Sequence, residues 1–208
     1  MAAIRKIGNR EKGAGLVDVM VSCLIIGILA AIAVPTAVTS IYNMRLRTAA
    51  TEFSGLVQRA RIMAVNDNST YTIQFGLPTG NGAYVDLSGD GSYESSLSTP
   101  VHNSYSEPMV QFGGTVAQVA APGGASGKPT NLDASGGPLG WTATSGNLSF
   151  NSRGLPCNSS STPCGTNVNY IFYFSDTRPG GANGWAAVSV TAAGHPKEWY
   201  WNGSTWVN

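Results

Sequence analysis

The chain has 208 residues, enough for one globular domain and an additional element. Charged residues make up 11% of it, against roughly 25% in ordinary soluble proteins. Yet 42% is hydrophobic and 9% aromatic, which excludes a disordered chain with nothing to bury. The net charge is +1, and from position 67 onward four basic residues face eight acids. That balance gives no basic stripe of the kind a nucleic-acid partner needs, so none is expected.

Residues 1–13 form a short basic segment, with Arg5, Lys6, Arg10 and Lys12 against Glu11. Asp18 follows, and no charged residue then occurs between Val19 and Met44. The run from Val19 to Val38 alone supplies the ~20 apolar residues that a bilayer-spanning helix takes. Basic residues ahead of it keep the N-terminus cytoplasmic and send the rest of the chain outward. An acid at the bilayer centre costs roughly 2.5–3.5 kcal/mol, so Asp18 is a functional candidate. The plainer alternative places it in the first helical turn near the headgroups, where the dipole favours it by ~0.3–1 kcal/mol. Cys23, within the run, reads as a small buried apolar residue.

The helical pattern does not stop at Val38. Tyr42, Leu46, Ala49, Phe53, Leu56, Ala60 and Met63 recur at alternating steps of four and three, which is one face of an α-helix. Arg45, Arg47, Glu52, Arg59 and Arg61 fall off that face. The spacing predicts a single helix of about 50 residues, membrane half first and amphipathic half second. Pro35 should kink it, because proline removes one backbone bond and crowds the preceding turn. Gly27 and Gly55 are weaker points, and Asn66-Asp67-Asn68 ends it.

The string from Lys12 to Val38 resembles the class III signal of type IV pilins and type II secretion pseudopilins. In that family a short basic leader ends in Gly, and prepilin peptidase cuts after it. The mature chain then opens on a long apolar helix with an acid at its fifth residue. The resemblance implies cleavage between Gly13 and Ala14, N-methylation of Ala14, and an assembly role for Asp18 as the fifth mature residue. Met20, the stretch Ile25-Ile26-Gly27-Ile28-Leu29-Ala30-Ala31 and Pro35 fall where the family has them. Asp18 stands where Glu is usual, and Ala14 where Phe or Met is usual. Phe53 to Phe75, through Leu56, Ala60 and Arg61, resembles the FimT and GspH branch of minor pilins and pseudopilins. The implied layout is a leader over 1–13, the long helix over 14–66 with its transmembrane part at about 16–38, and a β-rich head over 67–208.

After Asn68 the period changes to two. Tyr71, Ile73 and Phe75 form one half-buried strand; Ala83, Val85 and Leu87, alternating with Tyr84 and Asp86, form another. Met109 to Phe112 and Val116 to Ala120 are weaker strand candidates. Residues 121–140 are dense in Gly and Pro and read as a long surface loop. Leu148 to Asn151 reads as a short strand. Tyr170 to Phe174 is apolar on both faces, hence a central strand, and Ala186, Val188 and Val190 mark a half-buried one. A hairpin around Asn202-Gly203 closes the chain, and Trp199, Trp201 and Trp206 are expected to pack on the sheet. The fold class is α+β: a long kinked N-terminal helix packed on a small antiparallel β-sheet head.

Cys157 and Cys164 have six residues between them in a Pro/Ser/Asn-rich stretch, and in an oxidising compartment a disulfide closing that loop is expected. A zinc site would have only His102 and His195 to add, too few ligands. Asp86, Ser88, Asp90 and Glu94, with Gly91 at the turn, partly match an oxygen-ligand calcium loop, but Leu97 stands where the bidentate Glu belongs. The alternative is an ordinary hairpin turn. No phosphate loop is present and no nucleophile–base pair is arguable, so neither catalysis nor a cofactor is expected.

The resemblance implies a minor pilin or pseudopilin that prepilin peptidase processes. It would sit in the inner membrane with a periplasmic head, and an inner-membrane assembly platform would load it beside other pilin or pseudopilin subunits. A type IV pilus is favoured over a GspH-like place in type II secretion. An exported β-rich binding module is the rival class; it would use the small-residue site Ala31-Ile32-Ala33 as a conventional signal cleavage site.

Overall fold

The computed structural model describes residues 15–77, 80–93, 101–102, 110–112, 132, 141–143, 147–158, 169–176 and 184–208. They fall in two compact units, Met1–Ile41 and Tyr42–Asn208. The helix α1, Leu16–Asn66, has 51 residues and carries Pro35 inside it.

In the first unit α1 is uncovered. Leu16, Leu24, Ile26, Leu29 and Ile32 are each more than 60% exposed, and the segment is long and apolar enough to cross a membrane. Three of its hydroxyls turn back onto the helix: Ser22 Oγ donates to Asp18 O at 2.7 Å, Thr36 Oγ1 to Ala33 O at 2.9 Å and Thr39 Oγ1 to Pro35 O at 3.0 Å. Such internal bonding suits lipid, where an unmatched polar group costs on the order of 2–7 kcal/mol.

In the second unit α1 is a core element. It buries Leu46, Ala49, Ala50, Phe53, Ser54, Leu56, Val57, Ala60 and Ala64. The expected stripe is therefore present but broader, because Ala50, Val57 and Ala64 widen it. Tyr42 and Met63, at its two ends, are only half-buried. The helix stops at Asn66 for a local reason. Asn68 takes a left-handed φ of 48°, and Ser69 N–H donates to Ala64 O at 3.1 Å, a six-to-one closure that Asn tolerates.

Eleven strands follow among the described residues: β1 Tyr71–Leu77, β2 Gly80–Asp86, β3 Val101–His102, β4 Val110–Phe112, β5 Trp141–Ala143, β6 Leu148–Phe150, β7 Pro156–Asn158, β8 Asn169–Asp176, β9 Gly184–Val190, β10 Pro196–Trp201 and β11 Trp206–Val207. They make two sheets. One has the order β3-β2-β1-β6-β7, with every pairing antiparallel. The other has the order β11-β10-β9-β8-β4. Its β8 meets two strands beyond β9: β4 runs antiparallel along Phe174 to Asp176, and β5 runs parallel along Asn169 to Ile171. The head thus contains a parallel pair that an all-antiparallel expectation lacks.

One core joins α1 to both sheets. Phe53 sits at its centre, its ring 5.6 Å from Phe75, 4.9 Å from Phe172 and 5.5 Å from Phe174. Truncating such a buried phenyl to alanine costs about 3–5 kcal/mol. The other face of β8 builds a second cluster, with Ile171, Tyr173, Ala187 and Leu132, against which Trp199 and Trp206 pack. The central placement expected for Tyr170 to Phe174 follows from having apolar side chains on both faces.

Two strands expected to be half-buried are covered on both faces. On β2, Tyr84 and Asp86 are as buried as Val85, because the chain after β2 folds back over them: Tyr84 OH donates to Gly91 O at 3.1 Å and its ring meets Tyr93 edge-on at 5.2 Å. On β9, Trp185 through Val190 are all buried, the outer side being closed by the second cluster. Leu132 corrects the surface-loop expectation at its own position: it is buried, and its N–H donates to Tyr173 OH at 3.2 Å. The rest of 121–140 and the strand expected at Val116 to Ala120 lie outside the described residues.

Candidate functional site

Gly13 and Ala14 lie outside the described residues. Asp18 is exposed in the first turn of α1, where it and Gly15 bond reciprocally. Asp18 N–H donates to Gly15 O at 2.9 Å, and Gly15 N–H donates to Asp18 Oδ2 at 3.3 Å. A helix start leaves four N–H groups without partners, and an acid at this position takes up one of them. Cys23 is a free thiol, exposed on the uncovered half of α1.

Cys157 is buried on β7 and is disulfide-bonded. Cys164 lies outside the described residues. The acidic loop after β2 is an internally bonded turn. Asp86 carboxylate accepts Gly89 N–H at 2.8 Å through Oδ1 and Gly91 N–H at 2.9 Å through Oδ2. Both glycines have left-handed φ, 77° and 78°. Asp90 is exposed, and its Oδ1 accepts Ser92 N–H at 2.7 Å. That bond and one from Ser88 hold its carboxyl below the usual range, so it stays ionised. Glu94 lies outside the described residues, and among the described residues no three His, Cys, Asp or Glu groups come together.

The helix is tied to the second sheet through Glu198 on β10. Glu198 Oε2 accepts Thr51 Oγ1–H at 2.9 Å and Tyr200 O–H at 2.6 Å. Burial and that carboxylate together push the Tyr200 phenol up to about 12. Arg47 lies over the Tyr200 ring, 5.1 Å from its centre.

Arg61 ties α1 to both sheets at once, a role not legible from its place in a sequence motif. Its Nε–H donates to Gly154 O at 3.2 Å, and its Nη1 lies 3.5 Å from His195 Nδ1. Gly154 and His195 belong to two turns of the same design. Asn151 N–H donates to Leu155 O and Gly154 N–H to Asn151 O; likewise Thr191 N–H donates to His195 O and Gly194 N–H to Thr191 O. Each turn has a glycine at left-handed φ, 72° at Gly154 and 78° at Gly194, and a proline two residues later. The shared pattern, Asn151 or Thr191, then glycine three on, then Pro156 or Pro196, is the signal that could have paired them. His195, expected in a turn, closes the second one.

Two hollows of about 480 Å³ each lie along this outer flank of α1. One is lined by Arg61, Val65, Asn66, His195 and Pro196; the other by Thr51, Gly55, Arg59 and Glu198. Gln58 and Ile62 line both, so the two form one trough between α1 and β10. Ile62 is 56% exposed, and nothing lies within 4 Å of where a Gly55 Cβ would sit.

These features define an α+β protein whose N-terminal helix is membrane-length at one end and core-forming at the other. No protein-family model matches the sequence, and no curated protein sequence matches it. Among solved structures, the chain is similar to the type IV minor pilin FimU of Pseudomonas aeruginosa, at 15% identity and a TM-score of 0.45, over 80% of this chain and 95% of that one.

Proposed function

We propose that this chain is a minor pilin or pseudopilin, a filament subunit delivered through its N-terminal helix. One observation carries the reading. The residues matching a class III signal, Gly13, Ala14 and Asp18, lead directly into a single 51-residue helix, uncovered at its start and built into the head's core further on. A membrane anchor continuous with a core element suits a subunit that is withdrawn from lipid and stacked with its neighbours. It suits a cleavable signal poorly, since a cut near Ala33 would fall inside α1.

In this proposal prepilin peptidase cleaves between Gly13 and Ala14, and Ala14 is methylated. The segment at about 16–38 holds the subunit in the inner membrane with the head in the periplasm, and Pro35 is the bend. The assembly platform then moves the chain into a type IV pilus among other pilin subunits. Cys157 pairs with Cys164. A place in a type II secretion pseudopilus is the second reading, since the N-terminal residues fit both machines equally.

The test is co-expression with a prepilin peptidase, followed by intact mass and N-terminal sequencing. A chain starting at Ala14 is expected. A chain starting after Ala33 would overturn the proposal and favour the exported binding module.

A further inference from the structure

We propose that the trough between α1 and β10 receives the Asp90 turn of a second copy of this chain, giving a head-to-tail contact between subunits. The contact deepens the filament reading above, on which its use in assembly rests.

The trough is basic and unfilled. Two guanidiniums, Arg59 and Arg61, line it against one carboxylate, Glu198, which accepts from Thr51 and Tyr200. The end of α1 opposes this with the negative pole of its dipole, a charge of about one half. That pole is blunted, because the carbonyls of Met63, Ala64 and Val65 accept from Asp67, Ser69 and Asn68. The two guanidiniums outweigh Glu198 and that pole and set the sign. The exposed Ile62 and the bare Gly55 give the floor an apolar surface that another backbone can approach closely.

The Asp90 turn has the complementary form. Ser88-Gly89-Asp90-Gly91 is narrow, with two glycines and no bulky side chain. Asp86 fixes it from within by accepting Gly89 N–H and Gly91 N–H, so little ordering is left to do on contact. Asp90 stands exposed on it. None of residues 88–91 lines the trough, so the turn and the trough are different patches of one chain. A contact between different patches is heterologous, and repeated without closure it generates a helical filament.

The experiment uses the full chain purified in detergent micelles, with self-association measured by sedimentation. Arg59→Glu and Asp90→Lys should each weaken association about fivefold, and the two together should restore it, as paired charges do in a double-mutant cycle. Asp90→Asn keeps an acceptor for Ser92 N–H and removes the charge; it should weaken association as much as Asp90→Lys or slightly less, which separates lost charge from a collapsed turn. A chain that stays monomeric, single variants without effect, or a double variant that merely adds the two losses would each overturn the contact. Leader cleavage is read separately as the N-terminal mass, so failure of the filament reading would show there with the association data intact.

Discussion

Gly194 lies against Gly154. A Cβ placed on Gly194 would sit 2.6 Å from the Gly154 carbonyl oxygen, the same oxygen that accepts Arg61 Nε–H at 3.2 Å. The turns after β6 and β9, one from each sheet, therefore touch beneath a single side chain from α1. Helix and sheets are joined here by backbone proximity that only glycine permits, in addition to the apolar core.

Gly194→Ala should accordingly destabilise the head by at least about 2 kcal/mol, since it combines left-handed backbone strain with a backbone clash. Gly203→Ala is the control. Gly203 also has a positive φ, 102°, but nothing lies within 4 Å of its Cβ position, so only about 1 kcal/mol of strain applies. Arg61→Ala should cost roughly 1.5–3 kcal/mol through the lost charged hydrogen bond. Urea unfolding followed by tryptophan fluorescence would rank the three. Equal losses at Gly194 and Gly203 would show that the turns do not bear on each other.

Tyr200 predicts an alkaline limb of stability. Its phenol is raised from 10.0 to about 12 by burial and by Glu198, so the folded state holds the proton more tightly than the unfolded chain does. The stabilisation is complete below pH 10 and is lost as pH rises toward 12. Thermal unfolding across that window should show the fall, and Tyr200→Phe should flatten it. A phenylalanine variant with the same alkaline profile would assign the limb to other tyrosines.

How much of this was legible beforehand depends on how local the signal is. The period of α1 reports a helix because each turn repeats the same demand, and Leu46, Ala49, Phe53, Leu56 and Ala60 are buried as spaced. Strands β1, β8 and β9 declared themselves through alternation or through unbroken apolar runs. The coverage of Tyr84 and Asp86 was not legible, because alternation reports what one strand prefers and not what folds over it. The short strands β3, β5 and β7 carry too few residues to show a period. The Arg61 junction depends on turns that start 40 residues apart in sequence and meet only in space.

The loop after β2 illustrates how partners settle a motif. Asp86 has the position of a calcium ligand, yet both its oxygens already accept backbone N–H groups. A cation there would compete with bonds that hold the turn together. Isothermal titration of the full chain in micelles with calcium is therefore expected to give no saturable heat. Asp86→Ala should still destabilise the head by about 1–3 kcal/mol, because it leaves the Gly89 and Gly91 N–H groups without their acceptor. Saturable calcium heat abolished by Asp86→Ala would reverse this assignment.

Asp18 has one contact in this chain and one proposed role in assembly, which a single alanine substitution cannot separate. In this chain its carboxylate accepts Gly15 N–H at 3.3 Å, a capping contact worth about 1 kcal/mol. In the proposed filament it also pairs with the amine of Ala14 on a neighbouring subunit, where two opposite charges in an apolar core are costly to leave apart. Asp18→Asn keeps an oxygen for Gly15 N–H and discards the charge. If charge pairing drives assembly, Asp18→Ala and Asp18→Asn should both be cleaved normally after Gly13, and both should fail to enter filaments. If the cap alone matters, Asp18→Asn should assemble like the parent chain while Asp18→Ala does not. Quantifying each variant in sheared filaments against the membrane fraction distinguishes these outcomes. Normal incorporation of both variants would remove Asp18 from the assembly mechanism altogether.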